Sequence, residues 1–262
     1  MAIFAPTIYY FGQPISAAAG FIVRPDVYAS SVTVAIPGTQ FGSTFGQTSF
    51  RSDISGYING GSSLSDPTTT GTPVTSATVN FASDGYTTSI DRPSAATIGN
   101  LAGTTTNINF GSGDFTIECW FKPKATNSGD GFSLFSYNAG CGFFGWSGAG
   151  YYRWIAQNSS FGEDLDDYAT TAPTVADWHH IFMSRNGNTW YGGVDGVVRT
   201  ATGFTLSGAV GTSATFNMGG WPGNGSQFAV LYQDFRVTKG VARYTGAEGA
   251  SYTLPGSIVT IG

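Results

Sequence analysis

Short runs in which apolar and polar residues alternate recur along the chain, separated by Gly, Asn, Asp and Pro. A period of two places every second side chain on one face of an extended strand, so each run reads as a strand with a buried face. The clearest are Ser31–Ile36, Phe115–Phe121, Phe132–Tyr137, Tyr151–Ala156, His179–Arg185, Thr189–Val194, Ala214–Met218 and Phe228–Thr238. In the second of these, Phe115, Ile117, Cys119 and Phe121 share a face expected to lie between two sheets, and Glu118 and Trp120 point the other way. Arg185-Asn186-Gly187-Asn188-Thr189 is a hairpin signal, and Val194-Asp195-Gly196-Val197 marks a second turn. No segment of useful length follows the helical period; at most a short turn is expected near Gly240–Tyr244. Many short strands punctuated by turns predict an all-β sandwich of two antiparallel sheets.

Two stretches break the pattern. Gly60–Ser76 (GGSSLSDPTTTGTPVTS) is polar and holds Gly and Pro, and reads as a long surface loop rather than a linker. Residues 1–24 are apolar and rich in Pro and Ala, with the aromatics Phe4, Tyr9, Tyr10 and Phe11. This segment is too short to bury itself, so it is expected to dock as an extended arm on a neighbouring subunit or partner, or to add an edge strand to its own domain. The expected division is an arm over residues 1–24, a sandwich over 25–255 and a short tail over 256–262.

Composition narrows the class. A chain of 262 residues suits one large β domain, with core enough to need no disulfide framework. Charged residues are 10% and Lys occurs three times (Lys122, Lys124, Lys239), which excludes helical bundles and coiled coils. A 41% hydrophobic content with 15% aromatics argues against disorder. The net charge of −5 comes without a basic stripe, so no nucleic-acid partner is expected. No apolar run reaches the roughly 18 residues of a spanning helix, so no membrane role is expected either. The first basic residue is Arg24, and the start lacks the basic, then apolar, form of a secretory signal. Cys119 and Cys141 have no second pair and no flanking histidines, which disfavours zinc. Two buried free thiols are the simpler reading, and a disulfide needs two strands to bring the sulfurs together.

Four blocks in order carry a resemblance. Gly113-Asp114-Phe115-Thr116-Ile117-Glu118-Cys119-Trp120-Phe121-Lys122-Pro123 resembles the concanavalin A-like jelly roll of laminin-G-like domains. Trp178–Gly187 and Val194-Asp195-Gly196 agree with it, and Asp234–Thr245 is similar to the closing strand of such domains in tailed-phage structural proteins. Upstream, Asp26–Val34 is similar to their opening segment, so the resemblance spans roughly residues 26–248. It implies a fold and a habitat rather than a reaction. The implied role is a non-enzymatic virion structural protein, a capsid decoration or a tail- or fibre-associated part. Its partners would be other virion proteins and further copies of itself in a homo-oligomer. The alternative is a glycan-binding adhesion module for the host surface.

Candidate chemistry is sparse. Laminarinase-type hydrolases of the same fold carry two carboxylates about 5–5.5 Å apart on one strand face. The acidic cluster here is Glu163-Asp164-Leu165-Asp166-Asp167, without a Glu-x-Asp-x-x-Glu arrangement. It reads as a solvated loop, with Asp164 and Asp166 as a calcium candidate and no other cofactor expected. His179 and His180 fall on opposite faces of a strand and cannot act as a paired ligand set; His180, with Trp178 and Phe182, reads as a hydrogen-bonded core residue. No nucleophile elbow surrounds a Ser or Cys. Trp146, Tyr151, Tyr152, Trp154, Trp190 and Trp221 lie in Gly-rich surroundings near expected loop ends. Exposed there, they would stack on sugar rings or meet a protein partner; otherwise they pack over the sheet ends.

Overall fold

Alternation becomes pairing in the computed structural model. It describes residues 76–80, 89–91, 110–124, 173–200 and 229–256 with their side chains, together with Tyr152, Trp154 and Ala209, and the remaining strands by their backbone. The strands are β1 (Tyr9–Tyr10), β2 (Gln13–Pro14), β3 (Val32–Ile36), β4 (Thr48–Arg51), β5 (Ile54–Ile58), β6 (Ser62–Ser65), β7 (Val74–Ser76), β8 (Ser89–Arg92), β9 (Leu101–Thr104), β10 (Phe115–Pro123), β11 (Phe132–Tyr137), β12 (Gly142–Trp146), β13 (Tyr152–Gln157), β14 (Glu163–Ala169), β15 (His179–Asn186), β16 (Thr189–Val194), β17 (Val197–Val198), β18 (Thr215–Met218) and β19 (Val230–Lys239). Among the described residues there is no helix.

Two antiparallel sheets carry the fold, as the alternation implies. The first runs β17-β16-β15-β10-β19-β3-β5-β4, with β8 beside the start of β19 and β7 beside β8. The second runs β14-β13-β12-β11-β18-β9-β6. A separate ladder pairs β1 with β2, which puts Tyr9 and Tyr10 of the expected arm in a strand pair; Phe4 and Phe11 lie outside the described residues.

Both expected turns form, each with two residues between paired positions. Asn186 pairs with Thr189 across Gly187 (φ +60), and Val194 pairs with Val197 across Asp195 (φ +50) and Gly196 (φ +84). Left-handed backbone at both central positions suits the twist of a hairpin, which is why an Asp-Gly pair sits there.

Two expected loops are strands instead. The Gly60–Ser76 stretch contains β6 and β7, since Ser and Thr can pair in a ladder without supplying apolar alternation. The acidic cluster forms β14, which pairs with β13 and borders the second sheet. Charge is tolerated on such an edge strand and discourages further pairing.

The core lies between the sheets. Phe115, Ile117, Cys119 and Phe121 of β10, Ile181 and Met183 of β15, and Phe235 and Val237 of β19 are all buried. From the second sheet Tyr152 and Trp154 are buried against them, with Tyr152 edge-on to Phe121. Cys119 is a buried free thiol whose pKa burial pushes well up, so it is inert; Cys141 lies outside the described residues.

Candidate functional site

The aromatic residues expected at the surface divide sharply. Tyr152, Trp154 and Trp190 are buried, at 2%, 0% and 1% exposure, so the expectation of exposed rings fails for these three. For Trp154 the cause is glycine. A Cβ on Gly192 would sit 2.6 Å from the Trp154 ring, so only a bare backbone lets that indole close over β16. Trp154 Nε1 then donates to the Phe182 carbonyl at 2.9 Å, satisfying its one polar atom. Trp190 packs edge-on against Phe115 and beneath the Arg185 guanidinium, whose carbon lies 5.6 Å from the ring centre. Gly192 within a strand is the signal that could have placed the Trp154 ring inside.

Trp146 ends β12, paired with Phe132 and Tyr152, rather than opening a loop; its ring, Tyr151 and Trp221 lie outside the described residues. Asp164 and Asp166 are both in β14. Asp166 pairs with Ile155, whereas Asp164 falls at a register shift between Leu165 and Glu163. Among the described residues, no three His, Cys, Asp or Glu side chains converge as a metal site.

The outward face of β10 holds the principal polar cluster. Glu118 points away from the inter-sheet core, as its register requires, yet it is only 1% exposed. Residues 240–256 cross this face and seal it, through Tyr244 and Tyr252 packed on Phe182 and on each other. Glu118 Oε1 lies 2.9 Å from Arg236 Nε and 3.1 Å from Arg243 Nε. Its Oε2 accepts from Tyr244 Oη at 2.6 Å and faces His180 Nε2 at 3.2 Å. Burial alone would raise the Glu118 pKa, but Arg236, the His180 hydrogen bond and Arg243 outweigh it and hold the carboxyl far below the usual range.

His180 behaves as the alternation predicts: fully buried and hydrogen-bonded. Burial lowers its pKa despite Glu118, so the ring is neutral. A neutral ring fits by donating from Nε2 to Glu118 and accepting at Nδ1 from Tyr252 Oη, 3.0 Å away. A carboxylate locked by two guanidiniums is unsuited to protonating a leaving group, and its depth bars a substrate from it.

His179 faces the other way and reaches the end of the sheet. Its Nδ1 lies 2.7 Å from Asp195 Oδ2, and Nε2 lies 3.1 Å from both the Thr174 carbonyl and its hydroxyl. The Asp195 side chain is 42% exposed, and the neighbouring Thr174, Val175 and Asp177 are exposed as well. Leu254 lies beside Gly196 at the same end, also exposed. Among the described residues, these are exposed groups at this end that can meet a ligand by hydrogen bond or apolar contact. In the sequence Asp195-Gly196 reads as a turn and as part of the family resemblance, with no binding role, and Thr174 and Asp177 carry no signal.

Comparison with known proteins gives the class. Residues 97–243, more than half of the chain, match the Laminin_G_3 family model, described as the concanavalin A-like lectin/glucanases superfamily. The chain belongs to this family. Curated proteins yield no sequence match. Among solved structures it is similar to the binding domain of Paraclostridial Mosquitocidal Protein 1, at 15% identity and a TM-score of 0.56 over 82% of this chain and 50% of that one. It is similar also to the binding domain of botulinum neurotoxin DC, solved with rat synaptotagmin II, at 12% identity and TM-score 0.56 over 82% of this chain and 50% of that one. A further structure of that binding domain, in complex with SialylT, has 10% identity and a TM-score of 0.54 over 82% and 50%. The chain spans about half the length of these structures, and at such identities the likeness is one of fold.

Proposed function

We propose that the chain is a non-enzymatic virion structural protein of a tailed phage, a capsid decoration or a tail- or fibre-associated part that displays a lectin-like sandwich. Residues 1–24, with Phe4, Tyr9, Tyr10 and Phe11, dock it on another virion protein or on a sister copy within a homo-oligomer. The carrying observation is the use made of the phage-like block Asp234–Thr245. It supplies the second part of β19, from Asp234 on, and the start of the segment that seals the outer face, and its Arg236, Arg243 and Tyr244 all contact Glu118. The buried carboxylate of Glu118 is thereby committed to holding the fold. Deleting residues 1–24 is expected to leave a folded sandwich that no longer joins particles; normal incorporation of the truncated chain would overturn the arm assignment.

A second reading, glycan binding at the host surface, is favoured by the neighbours, one of them solved in complex with SialylT. With three aromatics placed in the core, Trp146, Tyr151 and Trp221 are the rings left to stack on sugars. Asp164 and Asp166 are the place to look for calcium. Retention on a panel of host polysaccharides, lost in Trp146→Ala or Trp221→Ala, supports this reading, and no retention on any of them counts against it.

A further inference from the structure

The polar array around His179 has a directional property. Every partner of the ring is an acceptor. Asp195 offers a carboxylate oxygen at Nδ1, and Thr174 offers its carbonyl and hydroxyl oxygens at Nε2. The Thr174 hydroxyl spends its own proton on Asp177 Oδ2, 2.7 Å away, so it turns a lone pair toward the ring. The arrangement is complete only when both ring nitrogens carry protons. A neutral imidazole would set a bare nitrogen against an oxygen lone pair at one end.

The loop held this way is strained. Ala176 has φ +70, a left-handed conformation that residues with a Cβ rarely adopt. It is kept there by a 2.9 Å bond from its amide to the Pro123 carbonyl and by the Thr174–His179–Asp195 chain. Asp195 ties both histidines at once, since its Oδ1 accepts from the His180 amide at 2.9 Å.

We propose that residues 173–178 form a pH-sensitive flap, clasped to the β16–β17 turn by the imidazolium of His179 and released when that ring loses a proton. The charged groups facing the ring are Asp195 from the turn and Asp177 from the loop; Phe121 of β10 packs on it, 5.6 Å between ring centres. Tyr152 of β13 stands beyond Phe121, and its pKa is raised by burial first, then by Asp195, so it stays neutral across the range that matters. Burial of His179 opposes its charge, but hydrogen bonding to and charge of Asp195, with help from Thr174 and Asp177, outweigh it and raise the pKa above 6.5. The clasp is therefore fully formed below about pH 6.5 and is lost as pH rises through the raised value.

The test is NMR on the full chain between pH 5 and 9. The His179 ring is expected to titrate above 6.5, and protection of the Ala176 amide, corrected for intrinsic exchange, to fall in step with it. The fall is about tenfold for each unit by which the closed and open pKa values differ. The Met183 amide, inside β15, should keep its protection. Asp195→Asn should move both the titration and the loss of protection to lower pH, and His179→Gln should make protection independent of pH. A wild-type ring that titrates below 6.5, or Ala176 protection that does not follow the ring, would overturn the proposal even if neither variant folds.

Discussion

The two faces of β10 are buried in different ways. On the inner face Phe115, Ile117, Cys119 and Phe121 meet apolar side chains and indoles, and the driving force is non-directional, about 25 cal/mol per Å² removed from water. On the outer face Glu118 is as deeply buried, yet each of its oxygens faces two polar partners placed by four separate residues. An apolar face tolerates changes of shape that keep its volume, whereas a buried charge is tolerable only while every partner stays in place. The adjacent histidines repeat the contrast. His180, on the outer face, has its pKa lowered by burial, and His179, on the inner side at the sheet end, has its pKa raised by Asp195.

The largest effect expected from breaking this contrast is at Glu118. Glu118→Gln removes the buried negative charge that Arg236 and Arg243 face and should cost about 3–5 kcal/mol in denaturant unfolding, with residues 240–256 becoming protease-sensitive. A loss below about 1 kcal/mol would mean that apolar packing alone holds the outer segment. Next come the paired glycines. Gly192→Ala meets Trp154 on one face and Gly193→Ala meets Phe182 on the other, each expected to cost about 1–3 kcal/mol, with near-ultraviolet dichroism reporting a different ring for each.

Acid should act in two steps of the same sign. His180 has a lowered folded pKa, so stability begins to fall as pH drops below about 6.5; Glu118, also lowered, extends the loss below about 4.5 toward its own folded value. Denaturation midpoints measured from pH 7 to 3 should decline through both windows, and Glu118→Gln should flatten the second. Above pH 6.5 the raised His179 pKa gives a loss of the opposite sign, the smallest of these effects because the group lies at the sheet end.

Much of the fold is legible in the sequence because strand alternation and turn chemistry are local. Phe132–Tyr137 and Thr189–Val194 match their expected bounds, and both Gly-containing turns fall where they were expected, the first joining two expected strands as a hairpin. Strands without apolar alternation, such as Ser62–Ser65 and Glu163–Ala169, are invisible to that signal because pairing partners rather than their own pattern hold them in the sheet. The candidate site was less legible. An indole that follows a Gly-rich stretch looks exposed until the facing strand is known to supply Gly192, 38 residues beyond Trp154. Glu118 was placed on the outward face correctly, but its burial depends on Arg243, Tyr244 and Tyr252, more than 120 residues away. Long-range closure of that kind leaves no local trace.

The central claim, a lectin-like module carried on a virion, is tested most directly by gold-labelled antibody on purified phage particles from the source, viewed by electron microscopy. Label on the particles is the predicted result; over the head it makes the chain a decoration, and at the tail or fibres it raises the glycan-binding reading. Intact particles that carry no label would contradict the account.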